Sequence, residues 1–421
     1  MAGSIRFWAL CVLGLCLLGQ AHAGSSKGCG KALNSKLKKG ATGQSNKINL
    51  TTSQGVKRSF LLHFPQDYDK NKAHGLIFSF HGRSGSAAGQ ENLCKLSEPE
   101  KNKNMLVAYP EGIDKQWQGD PAAMSDDVTF TLDMINSLSE QYCIDPDKIY
   151  ATGQSNGGGF AANILACHPV ASKRIAAFAG VSGAYYQGTS DAACKPLTVP
   201  ITCNAASKPV PVLEFHGTKD DTIPYAGGKR RNRCLPNIPH FMTAWAQRNG
   251  LAASFAQSNL HSNHVKKLEW GAGALKGVVT HYSIDNMGHT WPNQRDYYMN
   301  ATPVIVDFFA KWTLASTPGA RTLTAASSQP LPPLCPSQNG KDYYGAPGGK
   351  KFKIHCSSDT ARTPAYTAAT YPGSLRGCIA QCAAEARCGH VVFIGDKCWK
   401  KVGRPVVVAG GGESARVAVK G

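Results

Sequence analysis

The stretch Gly153-Gln154-Ser155-Asn156-Gly157 is a G-x-S-x-G. Residues 148–152 before it read KIYAT, a short apolar strand, and residues 158–166 after it read GGFAANILA, a helix composition. Strand, sharp turn and helix are the context in which this motif lifts a serine hydroxyl above the end of a sheet; its glycines remove Cβ atoms that would clash. The chemistry on offer is nucleophilic acyl transfer. A serine hydroxyl is a weak nucleophile until a base takes its proton, so a base and an acid that orients it are required.

In the α/β-hydrolase arrangement the chain order is Ser, then acid, then His. Residues 210–215 form a strand candidate that runs into His216-Gly217-Thr218-Lys219-Asp220-Asp221. Asp220 stands on the loop where the acid belongs; Asp221 is its competitor and could instead cap the following turn. After a further strand candidate, 277–284, comes Asn286-Met287-Gly288-His289-Thr290-Trp291-Pro292. A histidine on a Gly-flanked loop past a late strand suits the general base, which selects His289 over His281 inside the strand and His261 and His264 in a polar loop. The oxyanion that forms on the attacked carbonyl needs backbone N–H donors, one from the residue after the nucleophile, Asn156. The second belongs on an early loop. Phe80-His81-Gly82-Arg83-Ser84-Gly85 follows a strand candidate at 76–80, and Arg83 or Ser84 would donate its amide.

These residues need a scaffold. Short apolar runs at 76–80, 105–109, 148–152, 175–181 and 210–215, with the more alternating 277–284, are separated by helix candidates such as 126–142, 158–166 and 240–247. Strands alternating with helices predict a mostly parallel sheet covered on both faces, an α/β class. No internal repeat is visible. With 42% apolar and 17% charged residues in 421, the chain is not mainly disordered and has ample length for a large core.

The first 23 residues carry Arg6, an apolar run over 7–18 and an Ala21-His22-Ala23 cleavage signal, which reads as a secretory signal peptide. No later run approaches the roughly 20 apolar residues of a membrane helix, so no membrane partner is expected. Secretion turns the cysteines into disulfide candidates. Of the thirteen beyond the signal, six lie after residue 334 and seven before it, so one of the seven is expected free and buried. Their spacing does not resemble a zinc site; neither metal nor organic cofactor is expected. The formal charge of +19 would suit nucleic acid, but secretion argues against that partner and for an acidic polysaccharide or charged surface, with a basic surface that has no partner as the alternative. Residues 314–334 are rich in Ser, Thr, Ala and Pro and read as a linker between a large segment, 24–313, and a small Cys-rich module, 335–421. Asn49 and Asn300 open N-x-Thr sequons and are glycosylation candidates.

The motifs together resemble the fungal secreted feruloyl esterases of carbohydrate esterase family 1, a group similar to extracellular polyhydroxybutyrate depolymerases. The matching stretches within 28–313 include Val56-Lys57-Arg58-Ser59-Phe60, Phe80-His81-Gly82, Ser125-Asp126-Asp127-Val128-Thr129-Phe130, the G-Q-S-N-G turn, Leu213-Glu214-Phe215-His216-Gly217, Ile223-Pro224-Tyr225-Ala226-Gly227-Gly228 and Gly288-His289-Thr290-Trp291-Pro292. The resemblance implies an α/β-hydrolase fold with Ser155, Asp220 and His289 as the triad. It also implies hydrolysis of esters of hydroxycinnamic acids, such as ferulate, on plant cell-wall polysaccharide. Trp117 and Trp291 would suit a wall for an aromatic acyl group, or could equally be core. Acetylxylan esterase and polyester depolymerase remain alternative activities, and a binding protein on an inactive hydrolase fold is the alternative of another class.

The tail, 335–421, resembles a PAN/apple-like module, for which the family role is binding carbohydrate or protein. It holds 13 Lys and Arg against five Asp and Glu. The six-Cys pattern suggests Cys378–Cys398 and Cys382–Cys388 as nested pairs with Cys335–Cys356 as the third.

Overall fold

A computed structural model describes residues 24–33, 37, 42–188, 193–203, 205 and 209–316. Beyond 316 it describes 342–343, 352–356, 358–360, 382, 388, 390–394, 397–401, 407–409 and 415–420. The expected signal peptide and nearly all of the expected linker lie outside the described residues.

The first half of the chain forms strands β1 (Ser45–Thr51), β2 (Lys57–His63) and β3 (His74–Phe80), helix α1 (Ala87–Cys94), β4 (Leu106–Pro110), α2 (Asp127–Gln141) and β5 (Ile144–Gln154). A short helix α3 (Asn156–Gly159) then runs into a π-helical turn, Phe160–Leu165. The second half adds β6 (Ala177–Val181), β7 (Val212–Gly217), a hairpin of β8 (Gly228–Arg230) and β9 (Arg233–Leu235), and α4 (Ile238–Arg248). It closes with β10 (Ala256–Leu260), β11 (Val265–Trp270), β12 (Val279–Ile284), α5 (Gln294–Tyr297) and α6 (Ala301–Lys311).

Ten strands form one sheet in the order β1-β2-β4-β3-β5-β6-β7-β12-β11-β10. Its six central members run parallel. Every residue of β3, β4, β6, β7 and β12 is buried. Successive side chains point to opposite faces, so burial of all of them means that both faces are covered. Helices α1, α2, α4 and α6 pack on this sheet. Side chains such as Phe78, Tyr150 and Phe309 fill the space between layers, each fully buried large apolar group contributing roughly 1.5–3 kcal/mol. The two antiparallel margins, β1-β2 and β11-β10, are the parts that the apolar runs do not reveal. The outermost strand β10 is almost entirely exposed and reads AQSNL.

Register places the ends of the parallel strands side by side. Phe80 of β3 pairs with Gly153 of β5, Gln154 with Val181 of β6, Val181 with Phe215 of β7, and Gly217 with Ile284 of β12. The loops that leave these strands at their carboxyl ends therefore meet along one rim, where open α/β sheets bind ligands. Those loops carry Arg83, Ser155, Asp220 and His289. A mostly parallel sheet, a serine elbow after β5, an acid after β7 and a histidine after β12 make this an α/β-hydrolase fold.

Three disulfides hold this unit: Cys29–Cys143, Cys167–Cys203 and Cys194–Cys234. The seventh cysteine, Cys94, is free and buried, and burial pushes its thiol up to about 11. Asn49 is exposed on β1, while Asn300 is half-buried and N-caps α6 by accepting from the Thr302 N–H. Among the described residues no helix is long and apolar enough to cross a membrane.

In the tail, β13 (Asp342–Tyr343), β14 (Phe352–Cys356), β16 (His390–Ile394), β17 (Lys397–Lys401) and β19 (Ala415–Lys420) form an antiparallel sheet in the order β13-β14-β19-β16-β17. Strands β15 (Ser358–Thr360) and β18 (Val407–Ala409) pair separately. Cys382 bonds Cys388 as suggested. Cys335 and Cys378 lie outside the described residues, so the pairs Cys335–Cys356 and Cys378–Cys398 do too.

Candidate active site

Ser155 sits between β5 and α3 with φ 55° and ψ −120°. A non-glycine residue in this region is strained by roughly 1–3 kcal/mol and persists only where its surroundings fix it. They do: the Ser155 N–H donates to Val181 O at 2.9 Å, and its carbonyl accepts from Gly159 and Ala184, each at 2.9 Å. A Cβ on Gly157 would overlap the Phe80 carbonyl, so this glycine is what lets the elbow approach β3.

Asp220 follows β7 and is buried. Its Oδ1 accepts from the N–H groups of Thr222 at 3.0 Å and Ile223 at 2.8 Å. Its Oδ2 lies 2.7 Å from His289 Nδ1. Burial alone would raise the pKa of this carboxyl; the hydrogen bonds from His216 and His289, with the Ile223 amide, outweigh it and hold the group well below the usual carboxylate range. Asp221 is exposed and, among the described residues, its carboxylate accepts only from the Thr222 hydroxyl, at 3.2 Å. Of the two aspartates, Asp220 is the one that meets His289.

The acid loop and the histidine loop are stitched together. Lys219 N–H donates to Met287 O at 3.0 Å and Thr218 N–H to Ile284 O at 2.9 Å. A Cβ on Gly217 would overlap Met287 O. Ser182, at the end of β6, anchors the far side of the histidine loop through Thr290 O at 3.1 Å. Ser155 and His289 line the same cleft, of about 270 Å³, with His289 partly exposed to it. No hydrogen bond joins Ser155 Oγ to His289 in this conformation, and such contacts commonly tighten only when substrate arrives.

On the opposite wall, Ser84 N–H donates to Lys115 O at 2.8 Å. Its amide is therefore taken, whereas Arg83 lines the cleft on the same loop. Asn156 lines the cleft from the first position of α3, where a helix offers N–H groups without intrahelical acceptors. Its side chain clamps the Trp117 peptide, Oδ1 accepting from Trp117 N–H at 2.7 Å and Nδ2 donating to Trp117 O at 3.2 Å. His81 supports the same loop. Its Nδ1 faces Gly82 O at 2.7 Å and its Nε2 accepts from Gly112 N–H at 3.0 Å, so the ring is neutral with hydrogen on Nδ1; burial lowers its pKa accordingly.

Two expectations require correction. Trp117 and Trp291 are not walls of the cleft. Trp117 is fully buried, donates Nε1–H to His81 O at 2.8 Å, and packs on Phe80 and Phe160. Trp291 is buried and donates to Thr302 Oγ1 at 3.0 Å. Both fill core space behind the loops they were expected to line. The cleft is walled instead by Tyr186, Ile223 and Ala184, and by a polar edge of Arg83, Asp120, Arg230 and Arg231. The run Lys229-Arg230-Arg231-Asn232-Arg233 is visible in the sequence, but its charge reads there only as part of the total. Asp120 is positioned by a loop that the buried Arg58–Asp127 pair, 2.9 Å apart, holds down: Asp127 Oδ2 also accepts from Gln118 N–H at 2.7 Å. Among the described residues no group of three or more His, Cys, Asp or Glu is placed to hold a metal.

No family model matches the chain. Among curated proteins it is similar to feruloyl esterase B of Piromyces equi, 29% identical over 245 residues, which are 55% of this chain and 42% of that protein. It is also similar to feruloyl esterase D of Neurospora crassa, at 26% over 51% of this chain and 71% of that protein. Probable feruloyl esterase C of Aspergillus niger is 27% identical over 52% of this chain and 70% of its own length. The chain thus spans less than half the length of the Piromyces relative. Solved structures that superpose on it include an acetyl xylan esterase from Aspergillus awamori, at 14% identity and TM-score 0.45 over 63% of this chain and 99% of that one. Another is a ferulic acid esterase from Anaeromyces mucronatus, at 15% and 0.38 over 65% and 91%. Carboxylic ester hydrolases are the class of protein this chain is similar to.

Proposed function

We propose that this chain is a secreted serine esterase acting on esters of plant cell-wall polysaccharide, releasing ferulate or a related hydroxycinnamate. Residues 24–313 would be the catalytic unit, 1–23 a cleaved signal, 314–334 a linker and 335–421 a module that binds carbohydrate or protein. The observation that carries the reading is the 2.7 Å pairing of His289 Nδ1 with Asp220 Oδ2 on the rim where Ser155 is held at positive φ. The names of the curated relatives support the substrate class.

In the proposed reaction Ser155 Oγ attacks the ester carbonyl carbon while His289 Nε2 takes its proton. Asp220 holds His289 with hydrogen on Nδ1, leaving Nε2 free to accept, and stabilises the imidazolium that forms. The amides of Asn156 and Arg83 receive the carbonyl oxygen as it becomes an oxyanion. Collapse breaks the bond to the alcohol oxygen, which leaves with the proton from His289. Water then gives a proton to His289 and attacks the acyl-enzyme, and Ser155 departs with that proton restored.

The test is labelling with a fluorophosphonate, which needs an activated serine, followed by turnover of methyl ferulate, an aryl acetate and a hydroxybutyrate oligomer side by side. Labelling at Ser155 with methyl ferulate as the best substrate is expected. A folded protein that labels nowhere and turns over none of the three is a binding protein on a hydrolase fold, and the proposal fails.

A further inference from the structure

The cleft that holds Ser155 is lined by three guanidinium groups, Arg83, Arg230 and Arg231, against one carboxylate, Asp120. Asp120 is buried and already accepts from the Ala122 N–H at 3.0 Å. Arg231 lies 3.4 Å and Arg83 3.7 Å from its two oxygens. Arg230 donates to the Tyr186 hydroxyl at 3.2 Å, and Arg83 also reaches Gln116 Oε1 at 3.4 Å. An arginine side chain offers five N–H donors in a planar fork. Among the described residues the acceptors these arginines meet are one carboxylate, one phenol and one amide oxygen, fewer than the donors on three forks, and the cleft lining carries net positive charge.

The arginines are held there at a cost. Arg230 and Arg233 pair across the β8–β9 hairpin, so Arg231 and Asn232 are its two-residue turn, with φ 50° and 57°. Such turns favour Asn-Gly or Gly-Gly because both positions need φ > 0. An arginine at the first position is strained, and strain of this kind gathers at ligand-contacting sites. The hairpin is also tied down, by the Cys194–Cys234 disulfide and by the Gln187 N–H donating to Cys234 O at 2.8 Å.

We propose that Arg230 and Arg231, with Arg83, form a subsite for a carboxylate carried by the substrate close to the scissile ester, as in a uronate-bearing saccharide ester. The inference rests on the esterase reading for the identity of the neighbouring bond, and it deepens that reading by naming the charge of what is bound. Guanidinium forks match carboxylates bidentately, and charge-assisted bonds of this kind are about twice as strong as neutral ones. A neutral polysaccharide ester would leave those donors to water.

The test uses two pairs of substrates, each differing only in charge. One pair is a neutral acyl ester of a uronic acid and of its methyl ester, which places the carboxylate on the alcohol side. The other is an aryl hemisuccinate and its methyl ester, which places it on the acyl side. The wild-type kcat/KM is expected to favour the free acid by about tenfold or more in one pair, and the pair that responds tells on which side the subsite lies. In the Arg230→Gln/Arg231→Gln variant the preference should fall to near unity, with Arg231→Lys intermediate because the charge stays and the fork is lost. Ratios within about twofold in both wild-type pairs, or a preference that survives in the double variant, would overturn the proposal. If no ester at all is hydrolysed, the esterase reading has failed. The subsite is then judged by calorimetric binding of a galacturonate oligosaccharide to the Ser155→Ala protein. Binding that the double substitution weakens about tenfold upholds it, and no binding rejects it.

Discussion

His216 Nε2 stands 3.2 Å from Asp220 Oδ2, the same oxygen that holds His289. The ring also meets Ile223 O at 2.8 Å through Nε2 and Glu214 Oε1 at 2.8 Å through Nδ1. Both nitrogens face acceptors, so both carry hydrogen and the ring is an imidazolium. Burial would lower its pKa; Glu214 first, then Asp220 and the Ile223 carbonyl, outweigh burial and raise it to about 10. His281 joins from β12, with Nδ1 2.7 Å from Glu214 Oε2 and Nε2 2.9 Å from the Tyr225 hydroxyl. A buried cation thus backs the proposed catalytic acid.

Removing that cation takes a positive charge from beside the Asp220–His289 pair. His216→Gln is therefore expected to move the acid limb of the kcat/KM profile to higher pH, by up to about one unit. An unmoved limb would mean that His216 only fills space. The pair also bears on stability. A folded pKa above the unfolded value gives a contribution fully present below about pH 6.5 and lost as pH rises through about 10. Substituting Glu214 and His216 together by Gln removes both charges. The double variant should then lose less Tm than wild type between pH 7 and pH 10, read by calorimetry.

The two adjacent aspartates separate cleanly by consequence. Asp220→Asn replaces the acceptor of the His289 Nδ1 hydrogen and should lower kcat by about a thousand-fold or more. Asp221→Asn touches an exposed group bonded to Thr222 and should change kcat by less than about twofold. The reverse ranking, measured on one soluble ester, would transfer the role to Asp221.

Gly217→Ala tests the contact between the loops. A methyl group there must push Met287 O away, and the displacement is delivered to His289 two residues on. Misplacing a catalytic group by about 1 Å can cost about a hundred-fold in rate. The expected result is a loss of that order in kcat, with KM changing far less. Unaltered kcat would show that the loops move apart without disturbing the Asp220–His289 pair.

Five of the central strands were legible because burial on both faces leaves a short apolar run, and β12 through its more alternating run at 277–284. All six candidates fall on β3, β4, β5, β6, β7 and β12. The marginal strands carry no such run: β1 buries one residue in its seven, and β10 buries none fully. The proposed triad of Ser155, Asp220 and His289 was read from chain order, since each follows a strand that reads plainly. Trp117 and Trp291 misled because an aromatic residue near a glycine loop has the same sequence signature whether it faces the cleft or supports the loop from behind. The Arg230–Arg231 edge was missed for another reason: the hairpin turn is what brings it to the cleft that holds Ser155.

Deleting 315–421 tests the division of labour proposed for the two segments. All residues of the proposed reaction lie before residue 290, and the disulfides of that unit close within it. Turnover of a small soluble ester should therefore change by less than about twofold. Binding to an insoluble acidic wall fraction should weaken, because the deletion removes 14 Lys and Arg residues against five acids. That binding should also fall with salt in the full chain, since exposed charges more than about 10 Å apart are screened at 0.1 M. Sedimentation with wall material at low and high salt, alongside the ester assay, measures both halves. A truncated protein that keeps its near-ultraviolet spectrum yet loses the small ester would place part of the reaction in the tail. Equal, salt-insensitive retention of both proteins would leave the tail without the binding role, and the arginine edge of the cleft as the remaining contact for an acidic glycan.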